Sequence, residues 1–151
     1  MMARRSTLKT SNDIWLAPFM NEIAPKELRT KIAQAKRGLA VGLKPDLVLD
    51  GSGGTYYMKD ASRTKVGVFK PADEEPYAEN NPRGYLRQPD DDLTLRAGIV
   101  PGQSCVRELA AYMIDHEGVS GVPMTTLVEA DRKSTRLNSS HSIASRMPSS
   151  A

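Results

Sequence analysis

Between residues 46 and 70 the chain reads as three short β-forming runs cut by two turn-forming stretches, and this pattern leaves few choices of fold. DLVLD (46–50) stops at GSGG (51–54), TYYM (55–58) resumes, and a polar turn at 61–64 precedes KVGVFK (65–70). Runs of β-formers bounded in this way predict three consecutive antiparallel strands. Upstream, Leu28, Ile32 and Ala35 recur at i, i+4 and i+7, and Leu39 follows four later. That spacing predicts a helix from about residue 24, with Pro25 in its first turn and Gly42 as its stop. Residues 71–101 carry five prolines and the acidic run 90–92, which reads as a long irregular connection. A second helix is expected from an N-cap at Ser104, with Val106, Leu109, Ala110 and Met113 on its apolar face and Gly118 as its stop. GVPMTTLVEA (121–130) reads as the start of a fourth strand, while residues 1–23 are expected to be poorly ordered. The class is therefore α+β: an antiparallel sheet with a glycine-rich hairpin, plus helices.

The net charge of +3 invites a nucleic-acid reading, which its location removes. Four of the 21 basic side chains and one of the 18 acidic ones lie in residues 131–151, leaving 17 against 17 in the rest. No nucleic-acid partner is expected. Residues 131–141 and 145–151, DRKSTRLNSSH and SRMPSSA, resemble the two ends of a sequencing-library adapter translated in one frame. Residues 131–151 are accordingly expected to be a non-native tail without regular structure, with the genuine protein interrupted near Ala130. The single cysteine, Cys105, excludes an intramolecular disulfide and makes a reducing compartment the default. No apolar run approaches the roughly 18–20 residues of a membrane span. The expected location is cytoplasmic or peripheral at membranes.

The chemistry concentrates in the hairpin. No G-x-x-x-x-G-K-[ST] spacing exists, and where a G-x-G-x-x-G fingerprint would need its third glycine the chain has Tyr56. What remains is a strand, a glycine-rich turn and a strand, with a lysine on the next strand, the arrangement that covers nucleotide phosphates in kinase-type sites. Gly51, Gly53 and Gly54 would let backbone amides approach phosphate oxygens, and Ser52 and Thr55 can add hydroxyl donors. Alternation puts Val66, Val68 and Lys70 on one face, so that Lys70 can meet phosphate while Val68 packs on the adenine. A lysine on an apolar strand face needs a matching charge. Spacing alone leaves a second reading equally open: a loose corner, with Lys70 at the exposed end of its strand. Glu108, on the second helix, is a candidate partner for Lys70, although spacing alone favours a solvent-facing glutamate paired with a neighbour such as Arg107.

VFKPADEEPYAENNPRG (68–84) resembles the phosphatidylinositol 3-/4-kinase catalytic domain family, closest to the type II and plant gamma-type phosphatidylinositol 4-kinases. In that group a glycine-rich hairpin precedes an FKP-x-x-EEP segment and an N-P-[KR]-G/W turn, here Phe69-Lys70-Pro71, Glu74-Glu75-Pro76 and Asn81-Pro82-Arg83-Gly84. VRELAAYMIDHE and GVPMTTLV are similar to the group's later helix and strand motifs, so four motifs stand in order between about residues 44 and 129. No cysteine occurs in the insertion after the N-P turn, where the animal type II enzymes carry their palmitoylated run.

The resemblance implies a kinase-like N-terminal lobe over residues 24–130, incomplete before the C-terminal lobe. It implies that Gly51, Ser52, Gly53, Gly54 and Thr55 lie over ATP phosphates, that Lys70 contacts phosphate and that Glu108 orients Lys70. Glu74 and Glu75 match a signature with no derived role. Adjacent acids on an extended segment point apart, which favours loop ordering over acid–base chemistry. The expected activity of the full-length protein is transfer of the ATP γ-phosphate to the inositol headgroup of phosphatidylinositol, with Mg²⁺. The catalytic and metal-binding aspartates are expected beyond Ala130, which would leave this chain inactive. The alternatives are a protein Ser/Thr kinase of the same fold and a non-catalytic, pseudokinase-like binding module.

Overall fold

The structure, a computed structural model, describes residues 13–85, 99, 102–131 and 140–145, with backbone alone for 131 and 140–145. Its strands are β1 (Asp13–Leu16), β2 (Asp46–Leu47), β3 (Tyr56–Lys59), β4 (Lys65–Pro71), β5 (Met124–Asp131) and β6 (Ser140–Ser145). They form one antiparallel sheet in the order β1-β5-β6-β4-β3-β2. Two helices, α1 (Lys26–Ala40) and α2 (Ser104–Ile114), lie on opposite faces. Neighbouring residues of β5 show this directly. Val128 packs with Ile14, Ile32, Ala35, Met58 and Phe69 on the α1 side, and Leu127 packs with Cys105 and Leu109 on the α2 side. Such alternation is what a strand buried on both faces requires.

The predicted helix is α1, with Pro25 as its N-cap and Leu28, Ile32, Ala35 and Gly38 on its buried stripe. Gly38 is inside the helix because a Cβ there would collide with the backbone carbonyl of Lys59, so α1 crosses the end of β3 at glycine distance. The three predicted strands are β2, β3 and β4; β2 is shorter than its run, β3 is shifted by one residue and β4 extends through Pro71, with Tyr56 opposite Phe69 and Tyr57 opposite Val68. Asp60 closes the β3–β4 turn by accepting the amides of Ser62 at 2.8 Å and Thr64 at 2.9 Å. Gly67, Phe69 and Pro71 are buried while Val68 and Lys70 are half-buried, as the alternation requires; Val66, expected on the face of Lys70, instead packs with Phe69 on the α1-side cluster, where the pairing with β3 shifts register.

Four expectations are corrected. Residues 13–23 are part of the core: Ile14, Ala17 and Met20 are buried, and β1 pairs with β5, where the Trp15 indole donates to Glu129 at 2.7 Å. Residues 1–12 lie outside the described residues. The apolar face expected for α2 is also different. Cys105 and Leu109 are buried with Tyr112 packed beside them, whereas Val106 and Met113 are 55% and 62% exposed. Two stripes at the same period compete on this helix, and the one facing β5 is the one removed from water. Ser104 is not the N-cap; Gln103 holds that position, and α2 ends at Ile114 rather than at Gly118.

The fourth correction concerns the tail. Ser140–Ser145 forms β6, between β4 and β5, although residues 131–151 were expected to lack regular structure. Strand pairing there is a backbone effect. The facing edges of β4 and β5 present unpaired N–H and C=O groups that a following segment satisfies without any side-chain period. Residues 86–98, 100 and 101 of the predicted irregular connection lie outside the described residues, as do 132–139 and 146–151.

Candidate functional site

The register of the hairpin sets the geometry of the site. Tyr56 stands opposite Phe69, so one step further along the same register Thr55, at the end of the glycine-rich loop, lies across from Lys70. Lys70 points to the α2 face. Its Nζ meets Glu108 Oε1 at 2.5 Å, across 38 residues of chain, and both side chains are half-buried. The charge that an apolar strand face requires for Lys70 therefore comes from Glu108. This is the partnership that residue spacing alone disfavoured. Spacing sees Glu108 on a polar face of an isolated helix and carries no information on how α2 is rotated against the sheet.

The glycines are used differently from the expectation. The Gly54 amide donates to the Glu74 carbonyl at 2.9 Å, so it is engaged within the protein and leaves the cradle. A Cβ on Gly54 would run into the Glu74 side chain, with the Glu74 Cβ only 2.8 Å away, and one on Gly53 would lie 3.2 Å from the Glu74 carbonyl oxygen. Two of the glycines are thus required by close approach to the EEP segment. The amides of Gly51, Ser52 and Gly53 have no acceptor among the described residues. Val68 lies half-buried on the same face of β4 as Lys70.

Glu74 and Glu75 point apart, and each has a definite neighbour. Glu74, 4% exposed, accepts the Tyr56 hydroxyl at 2.7 Å, which ties β3 to the segment after β4. Glu75, 5% exposed, accepts the Ser104 amide on Oε2 at 3.3 Å. Its carboxylate thus sits at the positive end of α2, where the peptide dipoles favour a negative charge. The other oxygen, Oε1, is buried without a hydrogen-bond partner among the described residues. Beside it, burial pushes the Cys105 thiol up from its ordinary value, with the charge of Glu75 adding in the same direction.

Residue patterns gave Tyr56, Asn81 and Arg83 no role. Asn81 and Arg83 were visible only as parts of a motif, and the structure shows them holding the loop. Arg83 donates to the carbonyls of Val48 at 2.5 Å, Asp50 at 3.0 Å and Gly53 at 3.4 Å. Asn81 donates to the carbonyl of Ser52 at 2.9 Å. No local signal could have found these contacts, because a side chain reaching a backbone carbonyl leaves no residue-type signature at the receiving end.

Among the described residues no three of His, Cys, Asp and Glu come together to hold a metal ion. No helix among them is long and apolar enough to cross a membrane.

Comparison with known proteins identifies the family. The family model described as "Phosphatidylinositol 3- and 4-kinase" matches residues 51–150, from the first glycine of the loop through β6. "Phosphatidylinositol 4-kinase gamma 4" of Oryza sativa subsp. japonica is 45% identical over 102 residues, covering 60% of this chain and 18% of the relative. The protein of the same name from Arabidopsis thaliana is 40% identical over 118 residues, covering 70% and 21%. "Phosphatidylinositol 4-kinase gamma 2" of Arabidopsis thaliana is 38% identical over 146 residues, covering 86% and 26%. The chain spans about a fifth to a quarter of the length of these curated relatives. Its α+β fold with an antiparallel sheet and two helices fits a kinase-like domain. With the family model covering most of the chain and the relatives converging on one name, the chain belongs to the phosphatidylinositol 3- and 4-kinase family.

Proposed function

We propose that this chain supplies the nucleotide-phosphate grip of a phosphatidylinositol 4-kinase-like phosphotransferase, which passes the ATP γ-phosphate to the inositol headgroup of phosphatidylinositol. The observation that carries the reading is the Lys70–Glu108 pair at the end of the glycine-rich loop. In such a site Lys70 meets the phosphates, and Glu108 holds the ammonium in place so that it need not be reoriented when the nucleotide arrives. The amides of Gly51, Ser52 and Gly53 add dipoles toward the same anion. Val68, half-buried beside Lys70, offers an apolar surface to the adenine.

The reaction needs a group to accept the hydroxyl proton and a metal to neutralise the phosphates. The proposal places both on residues beyond Ala130 in the full-length protein, which would act as a cytoplasmic enzyme peripheral to membranes. The 151-residue chain alone is then expected to be inactive.

Lys70→Met in the full-length protein tests the reading. ATP-dependent phosphorylation of phosphatidylinositol vesicles should fall by at least a hundredfold, with the circular dichroism spectrum unchanged. An unaltered kcat would remove Lys70 from the site. Turnover by the purified 151-residue chain would overturn the assignment of the catalytic groups to residues beyond it.

A further inference from the structure

Asn81 is 7% exposed, and a buried amide destabilises a fold unless its donors and acceptor are all used. Here they are. The two Nδ2 hydrogens are shared among the carbonyls of Ser52 at 2.9 Å, Glu74 at 3.2 Å and Glu75 at 3.2 Å. The Oδ1 accepts the amides of Arg83 at 2.9 Å and Tyr85 at 3.2 Å. One side chain therefore touches the glycine-rich loop and the EEP segment, and also fixes the turn that aims Arg83.

The contacts divide the loop by polarity. Asn81 and Arg83 together take the carbonyls of Val48, Asp50, Ser52 and Gly53, while the amides of Gly51, Ser52 and Gly53 have no acceptor among the described residues. Carbonyl oxygens repel an anion and amide hydrogens attract it. A loop whose carbonyls are tied back to one side is preorganised to present positive dipoles on the other.

From Asn81 the connection continues to the second half of the site. Glu75 receives Asn81 on its carbonyl, and its carboxylate holds the Ser104 amide at the start of α2. Glu108 follows Ser104 by four residues, one helical turn, and meets Lys70. We propose that Asn81 is a positioning residue that locks the glycine-rich loop and the N-terminus of α2 into one frame. Phosphate grip and Lys70–Glu108 pair then hold a fixed separation. The proposal rests on the reading of this loop as a phosphate grip.

Isothermal titration of the full-length protein with ATP and with adenosine separates the two claims. Wild type should bind ATP at least tenfold more tightly than adenosine, because the phosphates add to the affinity. If it does not, the phosphate-grip reading fails and the proposal falls with it. Given that preference, Asn81→Ser should lower the ATP-to-adenosine affinity ratio by at least tenfold while leaving adenosine binding within about twofold. A merely structural role would weaken both ligands alike, and an unchanged ratio overturns the proposal while leaving the grip intact. Hydrogen exchange on the wild-type protein gives a readout that does not depend on the variant folding. ATP, unlike adenosine, should slow exchange at Ser52 and Gly53 and at Ser104 and Cys105 together. Protection confined to the loop overturns the coupling.

Discussion

At Gly54 any side chain would meet the Glu74 carboxylate, and the Gly54 amide already holds the Glu74 carbonyl. Gly54→Ala must push Glu74 away and break its bond with the Tyr56 hydroxyl. Overpacking of this kind costs about 1–3 kcal/mol. A drop of several degrees in Tm is expected, with little of it recovered in a Gly54→Ala, Glu74→Ala double variant, because the Cβ of residue 74 stays within 2.8 Å of the added methyl; equal Tm for Gly54→Ala and wild type would show that the loop is not pressed on Glu74. Cys105 offers a second residue-scale measurement. Buried, and with its thiol pKa raised chiefly by that burial, it should react slowly with iodoacetamide at neutral pH and rapidly once the chain is unfolded in urea. Fast alkylation of the folded protein would place Cys105 outside the core. The glycine cluster was legible in the sequence as a break between strands. That two of its members are needed for contact with Glu74 was not, because the contact joins segments about twenty residues apart.

Helix α2 shows what periodicity can and cannot do at the scale of an element. The sequence carries two interleaved apolar stripes, Cys105–Leu109–Tyr112 and Val106–Ala110–Met113, and both satisfy the helical spacing. Docking against β5 selects the first and thereby turns Glu108 toward Lys70. The end of the helix makes a different test possible. Asp115 accepts the amides of Ser120 at 2.7 Å and Val122 at 2.8 Å, and these bonds hold its carboxyl below the ordinary aspartate value. A folded pKa below the unfolded one, about 3.9, means the contribution to stability is complete above that unfolded value. It fades as the pH falls through the lowered folded value. Asp115→Ala should therefore shift the urea midpoint downward at pH 7, and the gap to wild type should narrow as the pH falls below about 4. A gap independent of pH would mean that the charge of Asp115 contributes nothing.

For the whole molecule, the sheet order places β6 between β4 and β5, the strands that carry Lys70 and the buried run Thr125, Thr126, Leu127 and Val128. A chain ended at Asp131 would leave two facing strand edges without partners. Unpaired edges recruit other chains, so this shorter chain should form concentration-dependent oligomers in light scattering where the 151-residue chain does not. Equal scattering from both would show that β6 does not protect the sheet.

Local chemistry by itself determined the β2–β3–β4 run, the helix at α1, the strand at β5 and the placement of Lys70 on a half-buried face. Each of these depends on contacts within one turn or one pleat, which residue order encodes directly. The motif resemblance extended this to the family and favoured Glu108, already a candidate, as the partner of Lys70. The tertiary structure decided the rest: which stripe of α2 is buried, that Glu74 braces the hairpin while Glu75 caps α2, and that Asn81 and Arg83 tie back the loop. It also decided that residues 13–16 and 140–145 join the sheet. These outcomes depend on backbone carbonyls, amides and strand edges brought together across tens of residues. Every residue type except proline, which lacks the amide hydrogen, carries those groups alike, so their pairing becomes visible only once the helices and sheet have packed.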